Sequence, residues 1–211
     1  MKSATGIDGV VVLDFETTGM SPDKGDRAIE IGAVRIINGH IVERFESLMN
    51  PDRPFSPFIE QLTGISNAMV REAPSAGEVM ERFYGFIGDS PLVAHNASFD
   101  RRFLDAELAL LGRKCSQPMA CSMLAARRLY PDAPTHRLQT LVDHYGLPKT
   151  GTWHRALADA EMTAHLWLKM EYDIEAVYGI KQVPFALLHS LAEVPKRQAA
   201  AFLQRQAAEI L

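Results

Sequence analysis

Four carboxylates and one histidine lie in three short segments of this sequence. They are Asp14, Glu16, Asp100, His154 and Asp159. Asp14 and Glu16 are two positions apart at the end of a predicted strand, so both side chains project from one face of a sheet. Adjacent carboxylates repel each other and stay ionised when cations neutralise them, and an all-oxygen site favours Mg²⁺ or Mn²⁺. The residue types therefore predict a divalent-cation site, provided that the three segments converge.

A predicted three-stranded meander positions the first acidic pair. The β-branched run 10–13 ends at Asp14, and the partial alternation over 28–37 indicates a second strand. Asn38–Gly39 tolerates positive φ, which predicts a tight turn into a third, antiparallel strand over 40–49. We therefore expect the chain to open with an antiparallel sheet.

Two predicted helices carry the remaining acidic residues. Residues 92–94 form a short apolar strand, and the spacing after it predicts a helix over 98–111 with Asp100 in its first turn. A long helix is predicted over 155–172, with Asp159 near its start. Helical spacing also occurs around 58–62, across 79–87 in a helix that Pro91 stops, and over 122–129 and 138–145. The order β-β-β-α-α-β-α-α-α-α predicts an α/β protein with one mixed sheet.

Composition excludes some functional classes. With 22 Lys and Arg against 26 Asp and Glu, the net charge is −4, which argues against a module that holds nucleic acid by positive charge alone. No apolar run approaches the ~20 residues needed to cross a bilayer, and residues 1–6 lack a hydrophobic signal core. We therefore expect a cytoplasmic protein with no membrane partner, in which Cys115 and Cys121 are free thiols.

The length of 211 residues fits one domain with a terminal extension. We predict a main domain over 1–179 and a C-terminal helical extension over 180–211. Two segments of the extension begin at proline, 184–191 and 195–211, and the second has apolar residues on one helical face. Such a face either packs on the parent domain or docks a partner, and the sequence leaves both interpretations open.

Three motifs resemble those of the DEDDh class of 3′-to-5′ exonucleases, the group that includes the proofreading epsilon subunit of bacterial DNA polymerase III. Asp-Phe-Glu-Thr-Thr-Gly-Met over 14–20 is similar to the first motif, His-Asn-x-x-Phe-Asp over 95–100 to the second, and His-x-x-x-x-Asp over 154–159 to the third. The resemblance extends over about residues 8–175. It implies a ribonuclease H-like mixed β-sheet, with a three-stranded antiparallel meander plus parallel strands, flanked by helices. The main domain is then an exonuclease domain.

The resemblance also implies a role for each catalytic residue. Asp14, Glu16, Asp100 and Asp159 would hold two divalent cations, Mg²⁺ or Mn²⁺, as in other two-metal phosphoryl-transfer sites. His154 would be the general base that takes a proton from the attacking water. The product would be a nucleoside 5′-monophosphate released from the 3′ end.

Substrate-binding residues are implied around the same motifs. By family analogy, the amides of the Thr17–Gly19 loop approach the 3′ hydroxyl and Met20 wedges beside the terminal bases. Stacking of a base on Phe99 would be worth ~1–3 kcal/mol whatever the base. Leu62 and Ile65 belong to a segment similar to a substrate groove. The full implied set is Thr17, Thr18, Gly19, Met20, Leu62, Ile65, His95, Asn96 and Phe99.

Three functions remain open on the sequence. The leading prediction is a metal-dependent exonuclease that acts on DNA, single-stranded or at frayed 3′ ends, in proofreading or repair. An exoribonuclease that trims RNA would share all five catalytic residues. A non-catalytic adaptor that docks a polymerase through its tail would be favoured by loss of a metal ligand, and none is missing here. We therefore expect DNA rather than RNA as the partner, with a DNA polymerase subunit as the candidate partner of the tail.

Overall fold

A five-stranded mixed sheet lies at the centre of the computed structural model, which describes residues 9–151 and 154–210. Its strands are β1 (Val10–Thr17), β2 (Ala28–Ile37), β3 (His40–Leu48), β4 (Leu92–Ala94) and β5 (Met119–Cys121). Their order in the sheet is β3-β2-β1-β4-β5, with β1, β2 and β3 antiparallel and β4 parallel to both β1 and β5. This arrangement is the predicted α/β class. Residues 1–8 and 211, which the predicted domain and extension include, lie outside the described part.

Helices cover both faces of the sheet. Over the described residues they are α1 (Pro57–Thr63), α2 (Asn67–Arg71), α3 (Ala76–Ile87), α4 (Ser98–Leu110), α5 (Ser122–Leu129), α6 (Leu138–His144), α7 (Ala156–Tyr178), α8 (Phe185–Glu193) and α9 (Ala199–Ile210).

The sequence did not predict α2 or β5. The prediction that Pro91 ends α3 was wrong. The helix ends at Ile87, because its C-terminal cap is Gly88 at φ 52°. α7 runs past the predicted end near 172, because its C-terminal cap is Gly179 at φ 72°.

The β2–β3 hairpin has the predicted turn. Asn38 and Gly39 adopt φ values of 52° and 77°, the positive pair that a type I′ turn requires. This turn matches the right-handed twist of the flanking strands. It therefore sets the start of the β2–β3 pairing, in which Ile37 lies opposite His40.

Alternation along β1 divides the core into two layers. Val11, Leu13 and Phe15 pack with α3 and α4 residues on one face of the sheet. Val10 and Val12 pack with residues of α5, α7, α8 and α9 on the other. Because side chains alternate along a strand, Asp14 and Glu16 follow Val12 onto the α7 face.

The C-terminal helices are part of the packed structure. Leu187, Leu188 and Leu191 of α8 and Leu203 of α9 are buried in the same cluster as Trp167 of α7. α8 packs on α5, and α9 packs on α7. Within the described residues, no helix is both long and apolar enough to span a membrane.

Candidate active site

The end of β1 and the start of α4 bring three acidic residues together. Asp14 and Glu16 lie on β1, and Asp100 lies in the first turn of α4, which follows β4. The backbone N–H of Phe15 donates a hydrogen bond to Asp100 Oδ1 at 3.1 Å. Since Phe15 stands between Asp14 and Glu16, this bond fixes the Asp100 carboxylate beside the acidic pair.

The start of α7 supplies the fourth carboxylate. Gly32 of β2 is the Cα partner of Asp14, and a Cβ atom at Gly32 would lie 2.0 Å from the backbone nitrogen of Leu157. The helix therefore rests directly on the strand at this position, which only glycine permits. One turn into α7, Asp159 is carried toward Glu16.

His154 lies on the turn before α7 and completes the cluster. One ligand atom of each of Glu16, His154 and Asp159 lies within 4.8 Å of the others. The His154 backbone adopts φ 60°, and its N–H donates to Asp159 Oδ2 at 3.2 Å. The structure thus brings together all three sequence segments.

Burial and mutual repulsion raise the pKa of the carboxyl groups. The pKa of Glu16 rises to about 8, first because burial disfavours the charged form and then because Asp159 and Glu30 repel it. Burial raises the pKa of Asp100 to about 7 and that of Asp159 to about 6. The pKa of Asp14 is well above its usual range, owing first to burial and then to Asp100 and Glu16. Full ionisation of this cluster requires compensating positive charge.

The donor set fits divalent cations. Asp159 Oδ1 is buried and has no hydrogen-bond partner among the described residues, although its other oxygen accepts from His154. A buried oxygen without a partner costs free energy unless something binds it. Four converging carboxylates offer the hard oxygen ligands that Mg²⁺ and Mn²⁺ prefer. Asp14, Glu16, Asp100 and Asp159 are therefore the residues available to hold such ions.

The predicted substrate loop after β1 is held by its own hydrogen bonds. Thr17 Oγ1 donates to Gly19 O at 2.6 Å, and Thr18 Oγ1 accepts from the N–H of Arg27 at 3.0 Å. A Cβ at Gly19 would lie 2.5 Å from the Asp26 carboxylate, so a larger residue here would displace the Asp26 side chain. At its tip the Met20 side chain is 69% exposed. This exposure suits contact with a ligand.

Leu62 and Ile65 occupy different environments. Leu62 is 44% exposed on α1, whereas Ile65 is fully buried in a small cluster with Ile29 and Ile59. Of the two residues, only Leu62 offers its side chain to a ligand. Ile65 packs beneath the surface and supports α1.

Motif residues 95–99 also divide between core and surface. The imidazole of His95 lies 2.9 Å from both Ser122 Oγ and the carbonyl oxygen of His136. Burial lowers the pKa of His95 to about 4, so the ring is neutral and links β4 to α5. Asn96 is exposed at φ 70°, and Phe99 is half-buried with its ring 5.0 Å from that of Phe103. Asn96 and one side of Phe99 remain accessible.

The sequence did not predict the residues of β2 that hold the start of α7 against the sheet. Glu30 of β2 is fully buried, and its carboxylate accepts from Arg155 Nη2 at 2.7 Å and from the N–H of Ala156 at 2.9 Å. The sequence of β2 did contain a signal for Glu30 and Gly32. A glutamate and a glycine inside an otherwise apolar strand each indicate a special contact.

The fold and the site together define the class of this protein and its family. A ribonuclease H-like sheet that carries four carboxylates and a histidine in this order defines the class of 3′–5′ exonucleases, which are hydrolases. The exonuclease family model RNase_T matches residues 11–167. The chain belongs to this exonuclease family.

Curated relatives are longer proteins. The chain is 40% identical over 183 residues to the PolC-type DNA polymerase III of Caldanaerobacter subterraneus subsp. tengcongensis, and 43% identical over 165 residues to that of Bacillus subtilis. These matches cover 86% and 77% of this chain, but only 13% and 11% of the polymerases. The chain therefore corresponds to a small part of those relatives.

Solved structures share the fold. Exonuclease X in complex with 5′ overhanging duplex DNA is 29% identical, with a TM-score of 0.65, and the match covers 92% of this chain and 99% of that one. The nuclease domain of 3′hExo, a DEDDh family member bound to rAMP, is 20% identical, with a TM-score of 0.68 and coverage of 80% and 94%. E. coli Exonuclease I with a dT13 oligonucleotide is 17% identical, with a TM-score of 0.70 and coverage of 82% and 43%. The predicted fold class is confirmed.

Proposed function

We propose that this chain is a two-metal-dependent 3′–5′ exonuclease that removes nucleoside 5′-monophosphates from the 3′ ends of DNA. One observation carries the proposal. The carboxylates of Asp14, Glu16, Asp100 and Asp159 converge with raised pKa values, and a buried oxygen of Asp159 lacks a hydrogen-bond partner. Four acidic groups and a buried carboxylate oxygen without a partner are suited to binding two divalent cations.

Each residue has a role in the proposed hydrolysis. When bound, the cations supply the positive charge that meets the phosphate and the developing charge of the transition state. The His154 side chain is exposed beside Glu16 and Asp159, where it can accept the proton of the attacking water. The loop that ends at Met20 orients the 3′ terminal nucleotide. Leu62 and Phe99 then offer apolar contacts to the bases.

DNA is the proposed substrate because the relatives point to it. The PolC-type polymerases match at up to 43% identity, and Exonuclease X, at 29%, was solved with duplex DNA. This likeness supports our proposal of a proofreading or repair role in the bacterial cytoplasm. We assign exonuclease activity to the domain that ends at residue 179 and regard 180–211 as its extension. A polymerase partner for the extension remains part of this proposal.

The test uses 5′-labelled single-stranded DNA and RNA of matched sequence, with Mg²⁺ or Mn²⁺. We expect a ladder that shortens from the 3′ end on DNA, and no ladder with EDTA or with the variant Asp14→Ala. A faster ladder on RNA would replace the proposal with an exoribonuclease. Absence of a ladder on both would favour a non-catalytic adaptor.

A further inference from the structure

Glu30 is a fully buried carboxylate whose hydrogen bonds go to the start of α7. Its Oε1 accepts from Arg155 Nη2 at 2.7 Å, and its Oε2 accepts from the N–H of Ala156 at 2.9 Å. The Arg155 side chain is 38% exposed, whereas that of Glu30 is 0% exposed. Burial of an ion pair costs desolvation free energy and contributes little net stability. A geometric role accounts better for a pair in this position.

The Glu30–Arg155 pair spans two predicted metal-binding segments. In the β1–β2 ladder, Glu30 is the Cα partner of Glu16, so both side chains lie on the α7 face of the sheet. At its other end, Arg155 directly follows His154, and α7 begins with the residue after it. The pair therefore connects the strand beneath Glu16 to the turn that carries His154 and Asp159.

Arg155 also compensates part of the negative charge near the pair. Its Nη2 lies 2.7 Å from Oε1 of the fully buried Glu30, so the positive charge offsets that of the carboxylate. Arg155 lies 3.7 Å from Glu46 as well. The guanidinium thus allows one more buried carboxylate to stand beside the acidic cluster.

We infer that Glu30 is a positioning residue: through Arg155 and the backbone of Ala156 it fixes Asp159 and His154 relative to Glu16. Cation affinity then depends on a residue outside the set of cation ligands. The inference rests on the proposed function in one respect, which is that divalent cations bind the carboxylate cluster.

The test measures Mn²⁺ affinity by calorimetry, without nucleic acid, on the full chain and on Glu30→Gln. The glutamine retains an oxygen for the Ala156 N–H but loses the ion pair. We expect Mn²⁺ affinity to fall about 10-fold, the lower end of the range for loss of a direct hydrogen-bond partner of a metal ligand, because Glu30 acts through Arg155 and the α7 backbone. Cooperative thermal unfolding should persist. In the activity assay, kcat should fall more than KM rises, because the substrate loop is untouched.

Arg44→Met is the matched control. The Arg44–Glu161 ion pair, at 2.6 Å, also ties α7 to the sheet, and its loss should leave Mn²⁺ affinity unchanged. Arg155→Lys keeps the charge but not the fork geometry, so we expect an affinity loss similar to that of Glu30→Gln. If Glu30→Gln does not fold, Arg155→Lys decides.

A folded Glu30→Gln or Arg155→Lys protein with wild-type Mn²⁺ affinity and a lowered melting temperature would overturn the inference, since the pair would then be merely structural. Failure of the proposed function has a different signature. In that case the wild-type protein would bind Mn²⁺ yet degrade neither DNA nor RNA, and the affinities of the variants would still report on Glu30.

Discussion

Gly32 supports the backbone of Leu157 directly, since a Cβ at this glycine would lie 2.0 Å from the Leu157 nitrogen. Gly32→Ala must therefore push the first turn of α7 away from the sheet, and Asp159 moves with it. We expect a folded but less stable protein whose turnover falls by at least tenfold, because a displacement near 1 Å can cost about 100-fold in rate. Thermal unfolding and the exonuclease assay measure both effects.

Gly85→Ala is the control for this substitution. Gly85 lies in α3, and no atom would meet its Cβ within 4 Å. Alanine favours a helix over glycine by up to about 1 kcal/mol, so the control should be as stable as the wild type or slightly more so. Equal behaviour of the two variants would contradict a close contact at Gly32.

Stability of the metal-free protein should fall as pH rises. The folded state raises the pKa of Glu16 from 4.5 to about 8 and that of Asp100 from 3.8 to about 7. Between those values the folded protein binds more protons than the unfolded chain, so the free energy of unfolding decreases with pH. Melting temperatures in EDTA should decline by several degrees from acidic to mildly alkaline pH. Mn²⁺ should remove most of this slope, and a rising profile in EDTA would refute the argument.

Asp14→Asn should exchange function for stability. Burial disfavours the charged form of Asp14, and Asp100, Glu16 and Asp159 repel it, so a neutral amide removes both costs in the metal-free state. We expect a higher melting temperature in EDTA at neutral pH. Mn²⁺ affinity should fall by more than the ~10–100-fold that is typical when a hydrogen-bond partner of a metal ligand is lost, and turnover should be lost. A lower melting temperature would show that Asp14 is stabilised by contacts other than those described.

His154→Ala tests the general base. A positioned base contributes about 10²–10⁴-fold to the rate, so turnover should fall by that factor while Mn²⁺ affinity is retained. His154 also lies within 4.8 Å of Glu16 and Asp159. A parallel loss of Mn²⁺ affinity would therefore identify it as a cation ligand instead. The exposed His40→Ala is the control and should leave both quantities unchanged.

The packing of α8 can be tested with one side chain. Leu188 is fully buried in the main core, and Leu188→Ala should cost about 2–5 kcal/mol of unfolding free energy. The control Leu110→Ala, at a site 67% exposed, should change it little. A wild-type melting temperature for Leu188→Ala would favour the alternative in which the extension detaches to dock a partner.

The elements that local sequence signals determine were predictable, whereas those that depend on pairing between distant segments were not. The β-branched run of β1 and the Asn38–Gly39 turn are local signals, and both elements formed as expected. β5 is as short as β4, but its Met-Ala-Cys sequence lacks the β-branched residue that marks a strand. Its position depends on pairing with β4.

The same distinction holds at the site. Spacing was enough to place Asp14 and Glu16 on one face of β1 and Asp100 in the first turn of α4, whereas the family resemblance grouped the three residues. The burial of Ile65 and the contacts of His95 with Ser122 and His136 depend on packing between distant segments. The buried bond between Glu30 and Arg155 joins residues separated by 125 positions. No local pattern could show such a contact.

The wide separation of the site residues along the chain has a consequence for folding. Phe15 and Asp100 are separated by 85 positions, yet their bond holds two of the carboxylate segments together. A partly folded chain that lacks α7 therefore has neither Asp159 nor His154 in place. Such an intermediate, including one still emerging from the ribosome, lacks two of the five residues to which we assign catalysis. The proposed catalytic centre is therefore assembled only when β1, α4 and α7 have all packed together, so the folding of the whole domain controls when activity can begin.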